Sequence, residues 1–252
     1  MKDVLDKTTT GSYNWGIASG GSLTLYSKIS LAMKAIGMRI KKRFSATGIP
    51  HDVEPEDMVL PDSKLVKRTL EFIGDVHELP LKNHSLRVVV IGQIFGRAEK
   101  LNFDPEVYAI ASLLHDIGLE DQFCCMHPGI DCFAVEGAKE AGLFLEGLDM
   151  EVSCDKVDLV RNAISFHLNL QIPDPLKEAY LLNKASGTDT IGFYRDELSD
   201  SAAASINKAF PRHNFNRAVH EKLKKQAKMR PHSRMAFLYQ NGFGKMLLEE
   251  RF

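Results

Sequence analysis

The chain reads as an all-α protein, and three observations predict this. Apolar residues recur at helical spacing through most of the 252 residues, as in Leu65, Leu70, Ile73 and Val76. No alternating apolar–polar stretch of six or more residues reads as a strand. Asp104-Pro105-Glu106 is a strong helix start, with a cap, a proline at the first position and an acid in the first turn.

Residues 1–22, rich in Thr, Gly and Ser, read as a flexible leader. The single tryptophan, Trp15, sits in it, either anchoring the leader or standing exposed. Residues 23–44 predict a basic amphipathic helix. Leu25, Ile29, Ala32, Ile36 and Ile40 recur on one face, and Lys28, Lys34, Arg39, Lys41, Lys42 and Arg43 fill the rest. Such a helix packs on its own domain or on a second copy, or binds anionic lipid. Gly48, Pro50, Pro55 and Pro61 make residues 45–61 a linker.

Asp62 or Ser63 caps a helix running to about His77. Pro80 breaks the chain before a helix that carries His84 and ends near Arg97. The helix opened by Asp104 runs to Gly118, and residues 119–131 form a loop after it. Residues 132–147, 155–168, 176–187, 214–228 and 233–249 predict further helices.

A hydrophobic fraction of 44% and a charged fraction of 26% suit a globular protein. A net charge of −1 argues against a protein-wide basic field, so no nucleic-acid partner is expected. No apolar run is long enough to span a membrane. Cys124, Cys125, Cys132 and Cys154 do not form paired Cys-x-x-Cys motifs, so they read as reduced thiols in a cytoplasmic protein.

His115 and Asp116 interrupt the apolar run Leu113-Leu114-His115-Asp116-Ile117-Gly118. Charged groups are rarely buried unless they are paired or bind a metal. Taken alone, the pair reads as a helix end, with a solvated cap and a core histidine. His84 upstream and Asp189 downstream lie on predicted helices that are apolar on one face. Together these residues offer two nitrogens and two oxygens to one ion, on facing helices of a bundle. The donor set suits Zn foremost, with Fe, Mn, Co or Ni as alternatives.

The order and flanks of these residues resemble the HD superfamily of metal-dependent hydrolases. Leu60-Pro61-Asp62-Ser63, Glu78-Leu79-Pro80 and Asn83-His84-Ser85-Leu86-Arg87-Val88 are similar to the opening of its cyanamide hydratase branch. So are Asp104-Pro105-Glu106, the segment Ala111–Gly118, Phe133–Ala138, Ala163–His167 and Asp189-Thr190-Ile191-Gly192. The likeness covers about residues 58–250. It implies an HD-type helical bundle over residues 58–252, preceded by an N-terminal extension of residues 1–57.

It also implies one divalent ion held by His84, His115, Asp116 and Asp189, whose bound hydroxide attacks a small nitrile such as cyanamide to give urea. Two features depart from the wider superfamily. Leu119 stands where many phosphohydrolases carry a lysine, which removes a phosphate-facing cation. Phe133 stands where two-metal members carry a further histidine, which implies a mononuclear site.

Around the ion, Glu136, His167 and Glu120 are candidate catalytic groups, and Lys82, Asn83, Arg87 and Phe133 candidate substrate contacts. The alternatives for these are ordinary: a surface acid, a core histidine, a solvated loop, a surface cation. Arg87, one turn from His84, also suits an ion pair with a ligand carboxylate. Phe133, Phe166 and Leu168 suggest a small apolar pocket. Two other functions stay open: phosphate-ester hydrolysis with Arg87, Lys82 or Lys184 replacing the lysine, and a binding protein that keeps the fold without turnover. The basic helix is a candidate route to a homo-oligomer.

Overall fold

The computed structural model describes residues 9–44, 50–249 and 252, and for residues 35, 36 and 38–44 the backbone alone. The predicted positions of Ile36 and Ile40, the first eight residues and the linker around Gly48 therefore lie outside the described side chains. Among the described residues the secondary structure is helical, with two isolated β-bridges, Ser22 with Ser233 and His51 with Leu198.

Four helices form the centre: α4 (Leu79–Ala98), α5 (Pro105–Leu114), α7 (Cys154–Phe166) and α8 (Lys177–Ile191). Around them lie α1 (Tyr13–Ser19), α2 (Leu25–Phe44), α3 (Lys64–Val76), α6 (Phe133–Glu146) and α9 (Asp200–Ala209). The C-terminal set comprises α10 (Phe215–Met229), α11 (Arg234–Leu238) and α12 (Gly244–Leu248). Helix α4 packs on α8, α5 and α10, so it is buried on several sides from Val88 to Phe95. This explains why α4 is apolar nearly all round rather than striped.

Local chemistry sets the helix starts as expected. Ser63 accepts from Val66 N ahead of α3, and Asp104 accepts from Glu106 N and Val107 N ahead of α5. Pro80 does not break α4 but sits in its first turn, where a missing N–H costs nothing.

Several expectations are corrected. Within the predicted flexible leader, α1 is capped by Ser12 and packs on α6 and α7, with Gly16 against Val135. Trp15 is buried beneath the Arg234 guanidinium. The described part of α2 turns Leu31 inward and leaves Leu25 and Ile29 of the predicted apolar face in solvent, while Ala32 of that face is partly buried. The predicted helix 233–249 is split into α11 and α12, because Gly242 adopts φ +102°. Helix α9 was not anticipated; Ser199 caps it, accepting from Ala202 N. All four cysteines are free thiols.

Candidate metal centre

His84 projects from the first half of α4, and His115 and Asp116 follow the last residue of α5. His167 caps the C-terminus of α7, and Asp189 lies in the last turn of α8. The four central helices thus bring residues more than a hundred positions apart into one cluster. His84, His115 and Asp189 are fully buried, and Asp116 and His167 nearly so.

Donor atoms of His84, His115 and Asp116 all lie within 4.8 Å of one another. The two Nε2 atoms are 3.1 Å apart, and Asp116 Oδ2 is 3.6 Å from Nε2 of His84 and 3.3 Å from that of His115. Ligands about 2.0–2.1 Å from a tetrahedral ion are about 3.3 Å apart. The spacing fits a shared cation.

The outward hydrogen bonds fix what each ring offers. His84 Nδ1 meets Asp189 Oδ2 at 2.6 Å, His115 Nδ1 meets Ser112 O at 2.8 Å, and His167 Nδ1 meets Ile164 O at 2.6 Å. Carboxylates and carbonyls only accept, so each Nδ1 carries the proton and donates. In the neutral rings, Nε2 is then a lone pair on all three histidines. His167 Nε2 lies 3.7 Å from Asp116 Oδ1. The lone pairs of His84 and His115 and the Asp116 carboxylate therefore converge with no donor between them, which calls for a positive charge at their centre.

Burial pushes His84 down to about 4, against the pull of Asp189. Burial likewise pushes His167 down to about 3, aided by His115. For His115 burial also opposes the charged form, but Asp116 beside it outweighs this and raises the pKa. Burial opposes ionisation of Asp116 too, yet His115 and the other rings hold its carboxyl below the usual range.

Asp189, expected as a ligand, stands behind His84 rather than within the group of three. Arg87 Nε meets its Oδ1 and Arg87 Nη2 its Oδ2, both at 2.8 Å. Arg212 Nη1 adds a bond of 2.7 Å to Oδ1. With His84 Nδ1 on Oδ2, both oxygens are engaged by donors. Arg87 therefore serves as the ion-pair partner of a carboxylate, not as a substrate contact. Arg212, and Phe215 stacked 4.4 Å from the His84 ring, were not anticipated. Pro211-Arg212-His213 carries no signal that sets this arginine apart from other surface cations.

A cavity of about 380 Å³ opens beside the cluster, with Asp116, His167, Leu119 and Phe133 among its lining residues. Leu168 lines it as expected, whereas Phe166 is packed in the core. Val219, Leu223, Met235 and Met246 of α10–α12 complete the wall. The small pocket predicted from sequence is thus a much larger one, roofed by helices whose role no local motif discloses.

Other expected site residues are used elsewhere. Glu136 is buried and accepts from the backbone N–H of Cys125 and of His127, and its Oε2 pairs with Arg230. It pins the 119–131 loop instead of facing the cavity. Gly118 allows that packing, since a Cβ there would stand 2.2 Å from Phe133 O. Glu120 accepts from Lys222 Nζ at 2.8 Å, from Glu78 N at 3.2 Å and from His77 Nδ1 at 3.0 Å. Asn83 donates to Pro211 O, and half-buried Lys82 is not part of the cavity wall. Lys184 is held by Glu99 and Glu197.

Residues 81–190 match the family model described as HD domain. This stretch is similar to HD domains. All five residues of the cluster and its support, His84, His115, Asp116, His167 and Asp189, lie inside it. The matched stretch spans most of α4 through α8, while Val219, Leu223, Met235 and Met246 of the cavity wall come from helices beyond it. No curated protein matches the chain. HD domains bind divalent metals, and His84, His115 and Asp116 form a group able to hold one.

Proposed function

We propose that the protein is a metal-dependent hydrolase or hydratase that adds water to an uncharged carbon electrophile of the nitrile type, cyanamide being the simplest case. One observation carries this reading. The Nε2 atoms of His84 and His115 and the Asp116 carboxylate converge as acceptors, and Asp116 also lines a largely apolar cavity. His84, His115 and Asp116 would hold a divalent ion, zinc by their donor preference, which when bound would supply Lewis acidity toward water and the electrophile.

The chain's own groups do the rest. Asp189 fixes the His84 tautomer, and Arg87 and Arg212 keep Asp189 ionised. Asp116 supplies the negative charge that balances the ion. His167 presents Nε2 beside Asp116 at the cavity wall, where it accepts a hydrogen bond from water and orients it. Leu119 and Phe133 keep bulk water away from the reacting atoms. Residues 58–252 make up this catalytic unit in our reading, and α2 of the N-terminal extension adds Ala32 to the cavity wall.

Phosphate-ester hydrolysis is less well supported. It needs cations facing substrate, and Arg87, Arg212 and Lys184 are spent on Asp189, Glu99 and Glu197. No lysine or arginine lines the cavity among the described residues. The test is a screen of purified protein loaded with Zn, Mn, Fe, Co or Ni against nitriles and nucleoside monophosphates. Metal-dependent carboxamide or urea formation, lost in His115→Ala, is expected. Phosphate release without nitrile turnover overturns the proposal.

A further inference from the structure

The cavity says more about the substrate than the metal cluster does. Its volume of about 380 Å³ lies within the range that holds drug-sized molecules. At about 30 Å³ per water it equals roughly a dozen waters. A three-heavy-atom nitrile would leave most of it unfilled.

Its polar lining is largely self-satisfied. Asn183 donates to the carbonyls of His167 and Asn169, Thr190 donates to Ser186 O, and Asn241 donates to Phe237 O. Asn169 is bound to Thr10 O and to Arg234. Away from Asp116 and His167, the wall therefore meets a ligand mainly with the apolar side chains of Phe193, Val219, Leu223, Met235 and Met246. No charged side chain other than Asp116 lines it among the described residues, so a charged ligand body would be desolvated without compensation.

We infer that the cavity takes an uncharged molecule with an apolar body of about a dozen non-hydrogen atoms, a medium-chain alkyl or aryl compound, held with its one reactive polar end at Asp116 and His167. This rests on the reading of the metal cluster as the reactive centre.

A homologous series of straight-chain nitriles, from propionitrile to decanenitrile, tests it on the full chain. Dissociation constants are measured by calorimetry with and without Zn, and carboxamide formation is followed in parallel. Affinity should rise about fourfold per added methylene until the cavity is full. Leu223→Trp should shift the optimum to shorter chains. Val219→Phe, a smaller change, should shift it less and serves where the tryptophan variant does not fold. Affinity that is flat with chain length, or equal for carboxylates of the same length, overturns the inference. Length-dependent binding without carboxamide upholds the cavity assignment and sinks the nitrile chemistry. Cyanamide turnover with flat affinity does the reverse.

Discussion

Asp189 holds Nδ1 of His84 at 2.6 Å, and this one bond turns the opposite nitrogen of the ring into a lone pair aimed at His115. A residue expected to bind the ion directly thereby becomes the residue that prepares a ligand. The distinction is measurable. Asp189→Asn should weaken zinc binding about 10–100-fold, the usual effect of losing a partner behind a ligand. His84→Ala or Asp116→Ala should leave essentially no bound metal. Elemental analysis and competition titration read both. Equal, total loss in all three variants would restore Asp189 as a direct ligand.

Arg87 and Asp189 form a bidentate pair that is entirely buried. Removing Arg87 takes two charge-assisted bonds from a buried carboxylate and leaves it with Arg212 and His84. Arg87→Ala should therefore lower unfolding free energy by about 3–5 kcal/mol, measured by urea denaturation of metal-free protein. Asp189→Asn should also destabilise, and the double variant should cost less than the two effects summed.

Metal removal should be visible in stability as well as in activity. An ion that binds only the folded chain, at a free concentration of 100 times Kd, stabilises it by about 2.7 kcal/mol. Chelation should lower Tm, and zinc should restore it. The His115→Ala, Asp116→Ala double variant should show no response to either.

Glu136 bonds to the loop that follows the metal ligands. Glu136→Gln should speed amide hydrogen exchange at Cys125 and His127 while changing kcat less than tenfold. A loss of 10²-fold or more in kcat, with exchange unchanged, would make it a general acid or base after all.

Glu120 titrates against its own burial. Burial raises its pKa, but His77 and Lys222 outweigh this and hold it below the ordinary carboxylate value. A depressed carboxylate contributes stability that is present above its unfolded pKa and lost as pH falls through the folded one. Glu120→Gln should therefore destabilise by about 1.5–3 kcal/mol at pH 7. The gap to the unaltered protein should close as the pH drops below about 4. Urea midpoints at stepped pH check this.

The sequence by itself determined most of the helices and singled out His84, His115 and Asp116 as one group able to hold a metal. Helical period, caps such as Ser63 and Asp104, and the step from an apolar run into His115-Asp116 are local signals, carried within a few residues. The tertiary structure alone decided what each polar group does. Glu120 was a candidate because it follows the His-Asp pair, and Glu136 because it precedes Gly137-Ala138, yet their partners Lys222 and Arg230 arrive from α10 and the turn after it. Arg87 and Asp189 lie 102 residues apart, and a carboxylate's role as ligand or support depends on which donors reach it. The cavity is likewise a product of packing, with part of its wall built by α10–α12. An isolated segment records its own periodicity, but a charge is satisfied, and a void enclosed, only by groups that folding brings from elsewhere.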